Sequence, residues 1–342
     1  MSPGRLETLA IHVKPMDNEH PMNSIARYLQ DELPRINAFL DAQAAGLDPV
    51  VRPAAQHVLG AGGKRLRPLL ALVTARALGC TADPYPMACS LELLHSATLL
   101  HDDILDAAVM RRGRAAAHVE FGRTETILAG DALLALANKL VADYGIPRMN
   151  AVLSEAILRT VTGEIMEIAS VRDTAMSQER YYEIITGKTA YLFQGACECG
   201  AILSGRGEAA ERAAHDYGLN LGIAFQLVDD ALDYVSPSEV MGKPSGGDLR
   251  EGKMTLPLIL HLRSLAPQAR QELEARIAKD ELDAGAARGV ADAVAASGCA
   301  EATREAARVY AARAAQALDA FPGGQERDLM ADILELVLSR NK

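Results

Sequence analysis

The sequence predicts an all-α protein, a single-domain bundle of about 11–13 helices. Aromatic residues make up 4% of the chain and Trp is absent, whereas Ala, Leu and charged residues recur through long stretches, which favours helices. Strand-like alternation of polar and apolar residues is nearly absent. The apolar content of 49% is ample for a core, and no linker is long or polar enough to divide two domains.

The predicted helices follow one another between clusters of turn-forming residues. Residues 1–22 carry three prolines among polar residues and are expected to form a loosely ordered N-terminal arm. From Asn23, which we interpret as an N-cap, the all-helical domain is expected to extend over 23–342. Helices are predicted at 23–46, 49–60, 67–79, 84–106, 120–142, 148–170, 178–204, 208–235, 253–263, 267–278, 282–297, 299–320 and 325–340.

Composition excludes several classes of function. A net charge of −10 argues against non-specific binding of nucleic acid, which requires a basic surface. No run reaches the roughly 18 uninterrupted apolar residues of a membrane span, so we expect a cytoplasmic protein with at most peripheral membrane contact. The five cysteines lack the spacing of a redox or zinc motif and are expected to be reduced.

The most informative feature is a repeated Asp-Asp-x-x-Asp pattern. Each copy follows an apolar, helix-periodic segment, and positions i and i+4 of a helix share a face, so each copy forms a cluster of three carboxylates. A solvated helix end explains a single copy equally well, but two copies with the same flanking pattern favour a shared task. The first aspartate motif comprises Asp102, Asp103 and Asp106, and the second aspartate motif comprises Asp229, Asp230 and Asp233.

Clustered carboxylates of this kind indicate a metal site. Like charges this close raise one another's pKa, so a site that keeps them ionised at neutral pH needs a neutralising cation. Ligands that are all oxygen indicate Mg²⁺ or Mn²⁺. Because Mg²⁺ usually takes one or two carboxylates together with substrate phosphate oxygens, two open clusters suggest a bound diphosphate rather than a closed structural site.

Basic residues occur near both aspartate motifs. Lys64 and Arg67 lie at a predicted helix start after Gly62 and Gly63, whose backbone amides can approach an anion. A solvated turn is the alternative interpretation, and a Walker loop is excluded because Arg65 stands where Ser or Thr is required. Together, acidic and basic groups imply two phosphorylated ligands, one held through metal and one directly. The other candidate cations are Arg111, Arg112 and Lys188, with Lys243 and Lys253 on a glycine-rich segment suited to act as a lid.

Seven short motifs occur in one order along the chain. They are Gly62-Gly-Lys-x-x-Arg-Pro68, Glu92-x-x-His95, His101-Asp-Asp-x-x-Asp106, Arg111-Arg-Gly113, Gly187-Lys-Thr189, Phe225-Gln-x-x-Asp-Asp-x-x-Asp233 and Gly242-Lys-Pro-x-Gly-Gly-Asp-Leu-x-x-Gly-Lys253. In this combination the chain closely resembles the trans-polyprenyl diphosphate synthases of the long-chain heptaprenyl, octaprenyl and solanesyl type, from about Ser24 to Arg340. The resemblance implies the isoprenoid synthase fold, a helical bundle around a deep central cavity.

The resemblance also implies a role for each matching residue. Up to three Mg²⁺ ions, or Mn²⁺, would be bound principally by Asp102, Asp106 and Asp229, supported by Asp103, Asp230 and Asp233. The allylic diphosphate would be bound by Arg111, Lys188, Thr189, Gln226, Lys243 and Lys253. Isopentenyl diphosphate would be bound by Lys64, Arg67, His95 and Arg112, and Asp248 would orient the lysines. One departure, His118 where many relatives have Asn, lies outside the chemical motifs.

The implied activity is a prenyl transfer that needs no protein nucleophile. Metal ions and basic groups would draw charge from the leaving diphosphate, so that the allylic C–O bond ionises and the cation alkylates isopentenyl diphosphate head to tail (1'-4). The two aspartate motifs and Lys188 would be the catalytic groups. No Ser-His or Cys-His arrangement suggests another route. The resemblance further implies a homodimer, whose interface the sequence does not locate.

A stripe on the helix before the first aspartate motif bears on product length. Stepping back by turns from Asp102 gives Thr98 and Ala97, then Leu94, then Leu91. In short-chain relatives a bulky aromatic near Ala97 or Thr98 blocks the cavity. The resemblance therefore implies a long product of C35–C50, with octaprenyl the best guess, for quinone side chains. Ordinary core packing is the alternative interpretation of the stripe, and a geranylgeranyl or farnesyl diphosphate synthase is the alternative function.

Two more distant alternatives remain. A class I terpene cyclase also ionises an allylic diphosphate at an aspartate-rich helix, but it would carry a single such motif and many aromatic residues to steady carbocations. A non-catalytic synthase subunit would lack the acidic motifs, and here both are intact. Incubation with farnesyl and isopentenyl diphosphates distinguishes the three by an elongated product, a cyclic hydrocarbon or no product.

Overall fold

The computed structural model of this chain describes residues 21–235 and 246–340, and helices make up most of both ranges. Most of the expected arm lies outside the described residues. In chain order the helices are α1 Pro21–Ala45, α2 Arg52–Gly60, α3 Leu66–Ala77, α4 Tyr85–Leu105, α5 Ala117–Glu120, α6 Arg123–Ala142, α7 Pro147–Ala169, α8 Gln178–Ile185, α9 Tyr191–Ser204, α10 Glu208–Val235, α11 Gly247–Arg250, α12 Leu256–Ser264, α13 Pro267–Ala278, α14 Ala284–Ala296, α15 Cys299–Ala317 and α16 Gln325–Leu338.

The predicted helices are confirmed within a few residues at most positions, and the differences have local causes. Helix α1 begins at Pro21, so Asn23 lies inside it and the prediction that Asn23 is the N-cap was wrong. The predicted helix 120–142 begins three residues later, at Arg123 of α6, because Gly122 has φ 96°, which breaks the α-helical path between α5 and α6. The predicted helix 178–204 contains a π-helical segment, Thr186–Ala190, between α8 and α9. A 3₁₀ turn, Leu318–Ala320, follows α15.

A β-hairpin follows α4 where the sequence showed no strand pattern. Strand β1 is Met110–Arg111 and strand β2 is Arg114–Ala115, paired antiparallel with Met110 opposite Ala115. The two residues between them, Arg112 and Gly113, have φ values of 50° and 76°. Positive φ at both central positions is the geometry of a type I′ turn, whose twist matches that of the flanking strands. The hairpin therefore presents Arg111 and Arg112 at its tip.

Helix α9 is buried along nearly its whole length and contacts both α4 and α10. Glycine at position 218 allows α10 to lie close to α9. A methyl group there would clash with the backbone of Phe193 and Gln194. Helix α4 packs against α3 and α6, and α10 packs against α15. This packing fixes the two helices that carry the aspartate motifs relative to a common buried neighbour.

Two further expectations concern the described residues. The five cysteines are all free thiols, four of them buried, which confirms that they are not paired in disulfides. None of the described helices combines the length and the apolar character that crossing a bilayer requires.

Candidate active site

The first aspartate motif lies at the C-terminal end of α4, and its three members differ in exposure. Asp103 is buried, Asp102 is half-buried, and Asp106 is exposed as the residue that caps the helix. The Arg111 Nε donates to Asp103 Oδ1 at 2.6 Å. The buried middle aspartate thus holds the hairpin, whereas Asp102 and Asp106 retain exposed surface.

The electrostatics of Asp102 link it to α7 and to the π-helical segment. Burial raises the pKa of Asp102 to about 7, the Glu164 carboxylate adds to the rise, and the Lys188 ammonium opposes it. The Lys188 Nζ lies 2.7 Å from Glu164 Oε2 and 2.5 Å from Glu167 Oε2. These two carboxylates outweigh the effect of burial and raise the pKa of Lys188, so the lysine is fully charged.

The backbone geometry that brings Lys188 to this position depends on small residues. A methyl group at Gly163 of α7 would clash with the backbone of Gly187 and Lys188, so only glycine allows the two segments to approach so closely. The π-helical turn adds a residue to the helix at Lys188 and Thr189, and such turns occur frequently at functional sites.

The second aspartate motif lies in the last turns of α10 and also has a buried middle member. The Tyr181 hydroxyl donates to Asp230 Oδ2 at 2.5 Å and the Gln226 amide donates to Asp230 Oδ1 at 2.7 Å. The Thr189 hydroxyl donates in turn to Gln226 Oε1 at 2.7 Å. Asp229 is exposed at the same helix end. Burial raises the pKa of Asp230 to about 7.

Asp233, the third aspartate of this motif, accepts hydrogen bonds from the first residues of α11. The backbone amides of Gly247 and Asp248 both donate to the Asp233 carboxylate at 3.1 Å. Burial raises the pKa of Asp233, and burial followed by repulsion from Asp230 and Asp233 raises the pKa of Asp248 well above its ordinary value. The glycine-rich segment predicted as a lid thus includes a short helix, and Lys243 lies outside the described residues.

Several of these groups line one cavity of about 190 Å³. It lies between α7, α8, the π-helical segment, α10 and the stretch before α12. Six residues predicted to bind or activate the allylic diphosphate contribute to its wall, namely Lys188, Thr189, Gln226, Asp229, Asp230 and Lys253. Glu167 and Asp248 lie in the same wall. Carboxylates of the second aspartate motif and two lysines thus line one cavity, whereas Asp102, Asp103 and Asp106 of the first motif are not among the described residues that line it.

The residues predicted to bind isopentenyl diphosphate lie around the start of α3. Lys64 is exposed, and the guanidinium of Arg67 lies 5.0 Å from the centre of the Phe193 ring. Burial lowers the pKa of Arg67 to about 10. Burial, reinforced by repulsion from Arg67 and Arg112, lowers the pKa of His95 well below its ordinary value, so its imidazole is neutral at pH 7. The Arg112 guanidinium donates to the Gly62 carbonyl across the loop.

Structural partners of these groups were not assigned from the sequence. Arg65, at φ 47°, begins α3 and forms a buried ion pair of 2.7 Å with Glu92. Glu164 and Glu167 are three positions apart on one face of α7, a spacing that could have suggested a joint partner. Arg340, near the C-terminal end, lies 2.9 Å from Asp229 Oδ1, and nothing in the sequence pattern linked the two.

The donor set fits a divalent cation bound together with a ligand. Asp102, Asp230 and Asp233 all have pKa values raised by burial, so an added positive charge would stabilise their ionised forms. Among residues 21–235 and 246–340, no group of three or more His, Cys, Asp or Glu side chains is arranged to hold a metal unaided. The residues present therefore suit a cation whose remaining ligands come from substrate or water.

The predicted chain-length stripe lies inside the bundle. Leu91, Leu94 and Ala97 are buried in the core, and Thr98 is half-buried with its hydroxyl donating to the His95 carbonyl at 2.9 Å. The burial of these residues agrees with ordinary core packing. A tail cavity beside them stays a prediction.

An all-helical bundle that carries two aspartate motifs at helix ends, with basic side chains near both, is typical of an isoprenoid synthase type of enzyme. The Polyprenyl synthetase family matches residues 48–294. The chain is 35% identical over 257 residues to the octaprenyl diphosphate synthase of Escherichia coli (strain K12), covering 75% of this chain and 80% of that one. It is 36% identical over 242 residues to the geranylgeranyl diphosphate synthase of Methanosarcina mazei, covering 68% and 75%.

Solved structures agree with these sequence relatives. The crystal structure of polyprenyl synthase from Caulobacter crescentus CB15, complexed with calcium and isoprenyl diphosphate, superposes with a TM-score of 0.88 at 36% identity over 96% of this chain and 100% of that one. The chain therefore belongs to the polyprenyl synthetase family and is a prenyltransferase. Both the all-α fold and the resemblance to trans-polyprenyl diphosphate synthases are confirmed.

Proposed function

We propose that this enzyme catalyses Mg²⁺-dependent 1'-4 condensation of isopentenyl diphosphate onto an allylic diphosphate such as farnesyl diphosphate, repeated to a long-chain product. The observation that carries the proposal is a cavity whose wall contains Lys188, Thr189, Gln226, Asp229 and Lys253. Its mixture of fixed cations and carboxylates suits a diphosphate held partly by direct hydrogen bonds and partly through metal.

The allylic diphosphate would be bound directly by side chains that carry several hydrogen-bond donors. Lys188, held by Glu164 and Glu167, is charged and oriented before any substrate arrives. Lys253 also has a raised pKa: burial opposes the charge, but the Glu167 and Glu251 carboxylates outweigh it. Such preorganised cations stabilise negative charge as it develops on a leaving diphosphate.

Isopentenyl diphosphate would bind at Lys64, Arg67, His95 and Arg112. A neutral His95 can donate one hydrogen bond without adding a charge among the arginines. The Arg67 guanidinium, stacked on Phe193, presents a planar edge suited to two phosphate oxygens. These groups would orient the isopentenyl double bond toward the allylic carbon.

Asp102, Asp106 and Asp229 are the residues that would hold Mg²⁺, or Mn²⁺, with Asp103, Asp230 and Asp233 in support. Bound metal would supply Lewis-acid stabilisation of the leaving diphosphate. The support from Asp103 and Asp230 is positional, because each is buried and hydrogen-bonded by neighbouring side chains.

We infer an octaprenyl product, with a geranylgeranyl product as the second candidate. Small Ala97 and Thr98 stand where a bulky residue would shorten the tail cavity. The identity to an octaprenyl synthase and to a geranylgeranyl synthase is similar, so overall similarity does not separate the two candidates. A long product would suit quinone side chains.

We also infer a homodimer that uses α7. Leu158, Val161, Ile165 and Ile168 follow one another at spacings of three and four residues, and all are exposed. Ile127 and Leu128 of the neighbouring α6 are exposed as well. A contiguous apolar face of this kind typically marks a protein interface.

The test is incubation of purified protein with Mg²⁺, farnesyl diphosphate and isopentenyl diphosphate, followed by mass spectrometry of the extracted product. We expect a ladder of linear products that ends near C40. Asp102→Asn should lower the rate by about 100-fold or more, since a ligand of the metal is lost. Asp319→Asn, an exposed aspartate after α15, is the matched control. A cyclic hydrocarbon would indicate a terpene cyclase, no turnover a non-catalytic subunit, and a C20 end point the shorter-chain alternative.

A further inference from the structure

The β-hairpin that carries Arg111 and Arg112 is held to the bundle at three points. Arg111 binds Asp103, and Arg112 binds the Gly62 carbonyl. The third contact joins the His57 Nε2 of α2 to the Ala115 carbonyl of β2 at 2.9 Å. Of these three contacts, the third is the one that does not involve an arginine side chain.

The surroundings of His57 fix its ring. A carbonyl can only accept, so Nε2 carries the hydrogen of this bond. The ring meets Phe121 edge-on at 5.3 Å between centroids, and its Nδ1 lies 3.4 Å from Glu120 Oε2. His57 is thus wedged between α2, the hairpin and the residues around α5.

The position of Ala115 determines where the arginines lie. Ala115 pairs with Met110, Arg114 pairs with Arg111, and the type I′ turn leaves only two residues between the strands. Fixing the carbonyl of Ala115 therefore fixes the backbone of Arg111 and Arg112 within a few ångströms. His57, Arg111 and Arg112 line the same small cavity beneath the hairpin, so the histidine lies beside both arginines.

The three contacts are expected to respond differently when substrate binds. If Arg111 turns to the allylic diphosphate and Arg112 to isopentenyl diphosphate, their contacts with Asp103 and Gly62 weaken. The His57 contact uses neither guanidinium, so it persists. We propose that His57 is a positioning residue that holds the hairpin in register with both diphosphate subsites while its arginines exchange partners. This inference rests on the proposed function for the identity of the two ligands.

Two substitutions separate the hydrogen bond from the ring. His57→Phe keeps an aromatic ring against Phe121 but removes the donor, whereas His57→Gln keeps an amide donor near the Nε2 position and removes the ring. We expect His57→Phe to raise the KM of both diphosphates about tenfold with kcat changed less than threefold, and His57→Gln to stay within threefold of the wild type. His215→Ala is the matched control, because the His215 Nδ1 lies 3.5 Å from Glu198 Oε2 of α9 and this pair is not part of the hairpin.

Hydrogen exchange gives a readout that needs no substrate. The Ala116 amide donates to the Val109 carbonyl at 3.0 Å across the hairpin base. In His57→Phe, a peptide spanning 108–117 should exchange about tenfold faster, while a peptide spanning 85–100 stays unchanged. Unchanged exchange in the hairpin, unchanged KM for either diphosphate, or equal impairment of His57→Phe and His57→Gln would overturn the proposal. Absence of prenyl elongation by the wild type would instead overturn the proposed function, and the exchange experiment would still decide the role of His57.

Discussion

At the scale of single residues, the two aspartate motifs divide their members in the same way. The middle aspartates, Asp103 and Asp230, are 2% and 4% exposed and are bound by Arg111 and by Tyr181 with Gln226. The first aspartates, Asp102 and Asp229, are more exposed. A buried carboxylate with satisfied hydrogen bonds orients its helix end, whereas a more exposed carboxylate can bind a ligand.

The raised pKa values of Asp102 and Asp230 predict a pH-dependent stability. Each pKa is about 7 in the folded protein and near 4 in an unfolded chain. Between these values the folded protein retains protons that the unfolded chain has lost, so the free energy of unfolding falls as the pH rises from about 4 to 7. We expect the melting temperature of metal-free protein to fall by several degrees between pH 5.5 and 8.

Calorimetry with and without Mg²⁺ and inorganic diphosphate checks this expectation. Mg²⁺ and inorganic diphosphate together should raise the melting temperature more at pH 8 than at pH 5.5, because a bound cation stabilises the ionised carboxylates. A double variant, Asp102→Asn with Asp230→Asn, should show a smaller pH dependence, and the remainder is expected from Asp233 and Asp248, whose pKa values are also raised. If that variant keeps the wild-type slope, other groups are responsible.

The ion pair between Arg340 and Asp229 predicts an effect on metal binding. Its guanidinium lies 2.9 Å from Asp229 and 4.5 Å from the centre of the Phe225 ring, so it occupies the carboxylate that we assign to Mg²⁺. Arg340→Gln should lower the Mg²⁺ concentration for half-maximal activity about two- to fivefold, the range expected for removing one partly exposed ion pair. A Mg²⁺ titration at saturating substrates measures it. Arg308→Gln, whose ion pairs lie within α15, is the control, and a higher Mg²⁺ requirement in Arg340→Gln would contradict the competition.

At the scale of elements, local patterns predicted the helices but not the short segments that complete the site. The apolar period of α4 and α10 and their acidic ends were sufficient to place both motifs. The hairpin at 110–115 was missed because its strands are two residues long and its turn is Arg-Gly rather than Asn-Gly. The π-helical segment was missed because the contact that allows it, Gly163 against Lys188, joins separate helices.

The same limit applies to the partners of the predicted site residues. Lys188 was assigned from a motif, but its fixation by Glu164 and Glu167 depends on how α7 crosses the π-helical segment. The link of Arg340 to Asp229 joins residues 111 positions apart. Tertiary packing alone determines such pairs, so no local rule identifies them.

The face of α4 that precedes Asp102 predicts control of product length. Ala97 is 3% exposed, so a phenyl ring at this position is expected to occupy the tail cavity that we propose. Ala97→Phe should shift the main product from about C40 to C15 or C20, measured by reverse-phase chromatography of the dephosphorylated products. Ala314→Phe, at a fully buried alanine of α15, should lower the melting temperature without changing product length. An unchanged product in a folded Ala97→Phe protein would refute the pocket assignment.

At the scale of the whole molecule, several of the exposed apolar side chains form a row along α7. Leu158 and Ile165 of α7 are 60% and 61% exposed, and Val161 and Ile168 continue the same face. Single exposed hydrophobic residues are ordinary on protein surfaces, but a row at spacings of three and four is the pattern of a helix that packs against another helix. A second copy of the chain offers the same row, so a two-fold axis would pair it with itself.

A double substitution tests this interface. Leu158→Glu with Ile165→Glu would place like charges opposite each other across a two-fold axis, so the dimer should dissociate to a monomer at micromolar concentration. Light scattering during size-exclusion chromatography measures the mass, for which 36.5 kDa is the monomer value. Val309→Glu, which changes an exposed valine on α15, should leave the dimer intact. A wild-type mass near that of one chain, or a double variant that stays dimeric, would show that α7 does not form the interface.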